Sequence, residues 1–147
     1  MTEHATQVAG PDDATLTRGH GVRCSNKDYD FFYNGLEDQR LLVQKCSDCA
    51  ALRNPPTPMC PKCQSLSWCE QEITGTGRLY SYIIHYYPVL ERFPSPHVVA
   101  LAEFEGDIRF VASLAGLDGE EIAIGIELRP EFFRGNGIAS FRFVPAV

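Results

Sequence analysis

Four cysteines, Cys46, Cys49, Cys60 and Cys63, follow the pattern C-x2-C-x10-C-x2-C and constrain this chain more than any other feature. Each pair puts two sulfurs near one point, and two such knuckles at this separation close a tetrahedron of thiolates, the geometry of zinc. Pro61, inside the second knuckle, has a fixed φ that holds the turn in which backbone N–H groups face the sulfurs. Four thiolates leave no coordination position for water or substrate, so the expected zinc is structural and supplies folding energy to a short, loop-rich segment. Two disulfides would need an oxidising compartment, and the first thirty residues carry no apolar h-region followed by a small-residue cleavage site. Cys24 and Cys69 lie outside the pattern and receive no role.

The 147 residues make one domain, or a small domain with an appended mini-domain, and an apolar fraction of 44% is ample for a packed core. No apolar run approaches the roughly 18 residues that cross a bilayer, and the start is not transit-like, so the expected location is the cytoplasm, away from membranes. A zinc ribbon invites a nucleic-acid reading, which requires clustered cations to neutralise phosphates. The balance runs the other way: net charge is −6, and from Gln64 onward six Arg and no Lys stand against eleven Asp and Glu.

Along the chain, residues 1–22 are small, polar and turn-rich, which predicts a flexible tail. A helix is expected within 23–40, opened by Ser25 or Asn26 as N-cap, with Tyr29, Phe32, Tyr33 and Leu36 at i, i+3, i+4 and i+7. With Phe31 added, the segment is aromatic over more than one face. It can dock on the chain's own ribbon, and Tyr29, Phe31, Phe32 and Tyr33 are also candidates for a partner interface. Residues 41–66 read as the ribbon, with Leu41 to Lys45 as a short strand and a proline-stiffened link from Arg53 to Pro58. Residues 67–147 read as a barrel domain with five strands: Trp68 to Ile73, Leu79 to Tyr87, His97 to Phe104, Arg109 to Leu114, and a last run near Ile138 to Val144. Gly75-Thr76-Gly77 and Glu105-Gly106-Asp107 supply the turns. Alternation aims Phe110, Ala112 and Leu114 inward and Arg109, Val111 and Ser113 outward. The run from His97 to Phe104 is apolar on both faces, so its outer face needs a cover.

No reaction centre is legible. Four of the six cysteines are committed to metal, His85 and His97 have no ordered acid or base partner in the sequence, and the acids Glu103, Glu105, Asp107, Glu120 and Glu121 sit around turns as a solvated face. The common nucleotide and hydrolase signatures are missing. These features point to binding or assembly.

The whole pattern then becomes specific. An aromatic helix is followed by Leu41-Leu42-Val43-Gln44-Lys45-Cys46-x-x-Cys49, by Pro55-Pro56 ahead of Cys60-Pro61-x-Cys63, and by Gly75-Thr76-Gly77-Arg78-Leu79-Tyr80-Ser81-Tyr82. Pro96-His97-Val98-Val99-Ala100-Leu101, Glu105-Gly106 and Ile124-Gly125-Ile126-Glu127-Leu128 come after it. From about Tyr29 to Val144 the chain resembles the acyl-CoA-associated OB-fold family with an N-terminal rubredoxin-like zinc ribbon, long catalogued as a domain of unknown function. The resemblance implies a mainly β protein: an N-terminal helix, the ribbon and a five-stranded OB-fold barrel. It also implies work as a non-catalytic partner in a hetero-oligomer with a thiolase-superfamily enzyme or an acyl-CoA hydratase. In such assemblies, of which steroid side-chain aldolases and acetyl-transferring complexes are examples, the catalytic groups sit on the partner while the OB subunit braces the complex and lines the acyl or CoA channel. The alternatives are a stand-alone acyl-CoA binding protein and a single-stranded nucleic-acid binder. OB barrels stack bases on the face of strands 2 and 3, where Tyr80, Tyr82, His85, Tyr86 and Tyr87 are candidates here, but the absence of Lys from the barrel opposes a phosphate-tracking groove.

Overall fold

A computed structural model describes residues 27–89, 93, 95–135 and 137–146. The expected tail, the caps Ser25 and Asn26, and Cys24 lie outside them.

The described chain opens with a 3-10 turn, Lys27–Tyr29, that runs into helix α1, Asp30–Glu37. The α-helix is thus shorter than the sequence suggests, with Tyr29 rather than a capping side chain at its N-cap. It ends when Gln39 takes a left-handed φ of 59°, which lets Arg40 N–H donate to Gly35 O at 2.8 Å and closes the last turn. Gly35 lies inside the helix for a packing reason. A Cβ there would come within 2.7 Å of Leu42 Cγ, so only glycine lets the helix lie this close to the following strand.

Two antiparallel sheets follow. The first has the order β2-β1-β3, from β1 (Leu41–Cys46), β2 (Leu52–Arg53) and β3 (Trp68–Ile73). The second has the order β6-β5-β4-β7-β8, from β4 (Gly77–His85), β5 (His97–Phe104), β6 (Ile108–Ser113), β7 (Glu127–Gly135) and β8 (Ile138–Pro145). This corrects the strand reading at two points. Trp68–Ile73 does not begin the barrel; it pairs with β1 along its whole length, from Leu41 opposite Ile73 to Cys46 opposite Trp68. The ribbon strand β1 has four buried residues in a row and needs a neighbour on each edge, and β2 supplies only two residues. The fifth barrel strand is β7, which the sequence conceals because Pro130 interrupts it. Pro130 is tolerated because β7 pairs with β4 only at Leu128 and Glu127, leaving the proline beyond that short ladder.

The second sheet curls until β6 and β8 approach. A single parallel bridge, Leu114 to Phe143, and an N–H···O bond from Ala115 to Phe143 at 2.9 Å mark the seam, so this is the partly open barrel of an OB-fold. Leu79, Val98, Ala100, Ala102, Phe110, Leu128 and Phe143 fill the interior. Leu41 and Val43 of β1 and Leu36 of α1 belong to that same buried cluster, which makes the ribbon and the barrel two sides of one core. At the joint between them, Gly77 sits where a Cβ would meet the Phe104 ring at 2.7 Å. Among the described residues no helix is long and apolar enough to cross a membrane.

Candidate functional site

The two cysteine knuckles are one turn used twice. Ala50 N–H donates to Cys46 O at 3.0 Å, and Gln64 N–H donates to Cys60 O at 2.8 Å. Cys46 N–H reaches Ala51 O at 2.9 Å, and Cys60 N–H reaches Ser65 O at 2.8 Å. Ala50 and Gln64, at matching positions, both take left-handed φ values, 59° and 63°. The turns converge so that all four Sγ atoms lie within 4.8 Å of one another, with Cys46 to Cys63 at 3.5 Å and Cys49 to Cys60 at 3.6 Å. Zinc–sulfur bonds of about 2.3 Å at tetrahedral angles place sulfurs about 3.8 Å apart, so the set fits zinc. It does not fit disulfides, whose sulfurs lie about 2.05 Å apart.

Electrostatics agree with a cation at the centre. The Cys49 N–H, against the opposing effect of burial and with help from the Asp48 N–H, holds the Cys46 thiol down at about 6. The Cys63 N–H, again opposed by burial, and the Lys62 N–H lower Cys60. At Cys63 the Ser65 N–H pulls down, but the Cys46 sulfur, burial and the other two sulfurs outweigh it and push the thiol up to about 12. Four sulfurs this close cannot all ionise on their own charge. A divalent metal lets them do so.

The aromatic helix is used mainly inside the molecule, which corrects one interface candidate. Phe31 is only 7% exposed, with its ring centroid 5.0 Å from that of Trp68, so it fastens the helix to the ribbon and has almost no surface left for a partner. Phe32 stacks on Phe110 at 6.2 Å and meets Phe141 edge-on at 6.4 Å. Tyr29, Phe32 and Tyr33 are half-buried. Together with Pro55, Leu101 and Phe141, Tyr29 and Phe32 line an apolar groove of about 410 Å³ between helix, ribbon loop and barrel, with Asn54 and Arg109 as its polar groups. Leu101, on the outer face of β5, is half-buried and forms part of this groove's wall.

Exposed apolar surface lies instead on the outside of β4 and β6. Ser81, Leu101 and Val111 share one cross-strand row, and Ile83, Val99 and Ser113 share the next. Ile83 is 62% and Val111 64% exposed. A bulge between Leu79 and Ser81 throws Tyr80 outward, where the Arg109 guanidinium lies 3.7 Å from its ring centre and bonds Glu103 at 2.6 Å. Tyr86, Tyr87 and Val89, which follow β4 in the chain, are exposed as well. Alternation places Val111 outside, and an apolar residue at an outward position is the signal the sequence offers for this face. Tyr82 and His85 are half-buried. His97 is buried against Phe93, and its Nε2 is 3.5 Å from Ser113 Oγ, longer than the roughly 2.6–3.2 Å of a nucleophile–base pair.

Two family models match the chain: the rubredoxin-like zinc ribbon domain of ChsH2 over residues 34–68 and the C-terminal OB-fold domain of ChsH2 over residues 70–133. A solved chain of the Ltp2-ChsH2(DUF35) aldolase superposes with a TM-score of 0.81 at 35% identity, covering 86% of this chain and 100% of that one. The chain belongs to the ChsH2 (DUF35) family. Its zinc ribbon is therefore a family feature and its zinc a structural one. A DUF35 protein of unknown function from Sulfolobus solfataricus shares the fold, with a TM-score of 0.61 at 19% identity over 82% of this chain and 86% of that one. Among named relatives, a probable enoyl-CoA hydratase alpha subunit of Thermomonospora curvata is 41% identical over 69% of this chain and 32% of its own length. The 3-oxo-4,17-pregnadiene-20-carboxyl-CoA hydratase alpha subunit of Mycobacterium tuberculosis is 31% identical over 74% and 34%. The chain thus spans about a third of the length of these two alpha subunits. A DUF35 domain-containing scaffold protein of Methanocaldococcus jannaschii is 27% identical over 64% of this chain and 68% of its own length.

Proposed function

We propose that this chain is a non-catalytic scaffold subunit of a thiolase-superfamily enzyme acting on acyl-CoA thioesters, bracing the complex and contributing to the wall of the acyl channel. The observation that carries this reading is the overlap with the whole ChsH2(DUF35) chain of a structure named as the joined Ltp2-ChsH2 aldolase. The names of the other relatives, alpha subunits and scaffold proteins, support it. So does the chemistry of the chain. A four-cysteine zinc has no open position, and the exposed Tyr80, Ile83 and Val111 form an apolar face of the kind that partners cover. An acyl-CoA hydratase is the second partner class that the relatives' names suggest.

A nucleic-acid role is disfavoured by the barrel's charges. Arg109, Arg134 and Arg142 are bonded to Glu103, Glu37 and Glu131, which leaves few cations to follow a phosphate chain. The stand-alone acyl-CoA binder draws on the apolar groove beside Tyr29 and Phe32, with Arg109 at its side.

The test is purification of the untagged chain from its native host, followed by size determination and activity measurement. A stable hetero-oligomer with a thiolase-type protein is expected, with thiolysis or aldol cleavage in the complex and none from the isolated chain. Ile83→Asp with Val111→Asp should break the complex, costing at least 2 kcal/mol as buried interface anchors do, while zinc content stays the same. A monomer at micromolar concentration that binds acyl-CoA would favour the stand-alone binder. Turnover by the isolated chain would overturn the non-catalytic assignment.

A further inference from the structure

Arg53, on β2, is 5% exposed, and among the described residues its Nε and Nη2 groups meet no protein acceptor. Its Nη1 reaches Thr57 Oγ1 at 3.3 Å. None of the four arginine–carboxylate pairs among the described residues includes it. Buried cations are ordinarily paired with an anion, because desolvation is otherwise uncompensated.

Register places Arg53 beside the strand that carries the first knuckle. Arg53 is the cross-strand partner of Gln44, and Cys46 N–H bonds Ala51 O, so Cys46 faces Ala51 across the same ladder. Residues two apart on a strand share a face, which places Arg53 diagonally across from Cys46, at a Cα separation of roughly 7–8 Å. The second knuckle is reached by another route. Thr57, the acceptor for Arg53, donates its hydroxyl to Met59 O at 3.0 Å, next to Cys60, and its N–H to Gln44 Oε1 at 2.9 Å. Arg53 is therefore tied to the strand that carries one knuckle and to the loop that carries the other.

A divalent zinc in four thiolates carries a net charge of about −2. We propose that Arg53 is the positioning residue and charge partner of the zinc–thiolate centre: its guanidinium offsets part of that charge through space, and its bond to Thr57 fixes the approach to Cys60. This inference rests on the structural zinc. It explains why an arginine is buried on a two-residue strand with two of its three nitrogens unpaired.

The experiment uses the full chain as wild type, Arg53→Met, Arg53→Lys and Thr57→Val. Zinc affinity is measured by competition with a chromophoric chelator, and urea unfolding is followed with and without zinc. Arg53→Met should bind zinc about 10- to 100-fold more weakly, the usual range for outer partners of a metal site. Arg53→Lys, which keeps the charge, should stay within a few-fold of wild type, and Thr57→Val should fall between. The metal-free Arg53→Met protein should be as stable as metal-free wild type or more so, because an unpaired buried cation has been removed. That last readout separates the proposal from simple packing, which would weaken both forms equally. Unchanged zinc affinity in folded Arg53→Met, equal losses in the Met and Lys variants, or equal destabilisation of the metal-free and metal-loaded forms would each overturn it. If Arg53→Met fails to fold, Arg53→Lys decides: retained zinc supports the charge role, and lost zinc removes it. A wild-type chain without zinc would instead overturn the zinc reading and the proposal together.

Discussion

Cys60→Ser should release the zinc and unfold the ribbon, and because the ribbon shares its core with the barrel, the damage should spread. Wild-type protein prepared without chelator is expected to carry about one zinc per chain. Structural zinc supplies about 10–16 kcal/mol in small zinc modules at neutral pH, which matches or exceeds the roughly 5–15 kcal/mol that holds a whole domain together. Leu41 and Val43 lie on the strand that ends in Cys46, and both are buried in the cluster that contains Leu79, Phe110 and Phe143. Loss of the knuckle geometry therefore frees the end of a strand that seals the barrel. The expected result is a strongly lowered or non-cooperative thermal transition, read by circular dichroism with metal analysis in parallel. The same holds for chelation, and zinc uptake by thiols that include the raised Cys63 releases protons, so affinity should grow with pH. One zinc per chain and an unaltered melting curve in Cys60→Ser would remove zinc from the account of this fold.

The second large effect is expected at the barrel seam. Phe143 is fully buried, packs against Phe141 at 5.5 Å and Phe104 at 6.1 Å, and offers its carbonyl to Ala115 N–H. Phe143→Ala removes a ring from a site that cannot collapse around the void without moving two strands, and about 3–5 kcal/mol of stability should go with it. The Val111→Ala control, on the exposed face, should stay within about 0.5 kcal/mol. Urea unfolding measures both, and hydrogen exchange at Ala115 should quicken in the Phe143 variant. A loss below about 1 kcal/mol at Phe143 would mean that the seam does not hold the barrel shut.

What the sequence discloses depends on how local the signal is. The metal site is legible because each knuckle is a four-residue turn and chemistry restricts what four cysteines at that spacing can do. The hairpin at Glu105-Gly106-Asp107 is legible for the same reason, with Gly106 and Asp107 both at positive φ. Strand partnership is not local. Nothing in Trp68–Ile73 distinguishes a barrel strand from a ribbon strand, and only the two-residue length of β2 leaves β1 needing it. Pro130 hid β7 because its tolerance depends on where the β4 ladder stops. The aromatic helix misled in a third way. Phe31 and Phe32 are indeed aromatic beyond one face, but the ribbon takes one and the barrel the other. Alternation alone puts Val111 outside, but its neighbourhood with Ile83 across β5 is not local and depends on register.

Trp68 is the only tryptophan in the chain, and it sits opposite Cys46 on β3 with its ring against Phe31. The indole therefore stands where helix, ribbon and metal knuckle meet, whereas the barrel carries only tyrosine and phenylalanine. Excitation at the red edge of indole absorption would select this one residue over the six tyrosines. Its emission should report on the metal-dependent half of the molecule, and the far-ultraviolet signal should come mainly from the barrel, which holds most of the strand residues. Recording both in one stopped-flow mixing experiment with a chelator would give the order in which the two halves of a shared core come apart.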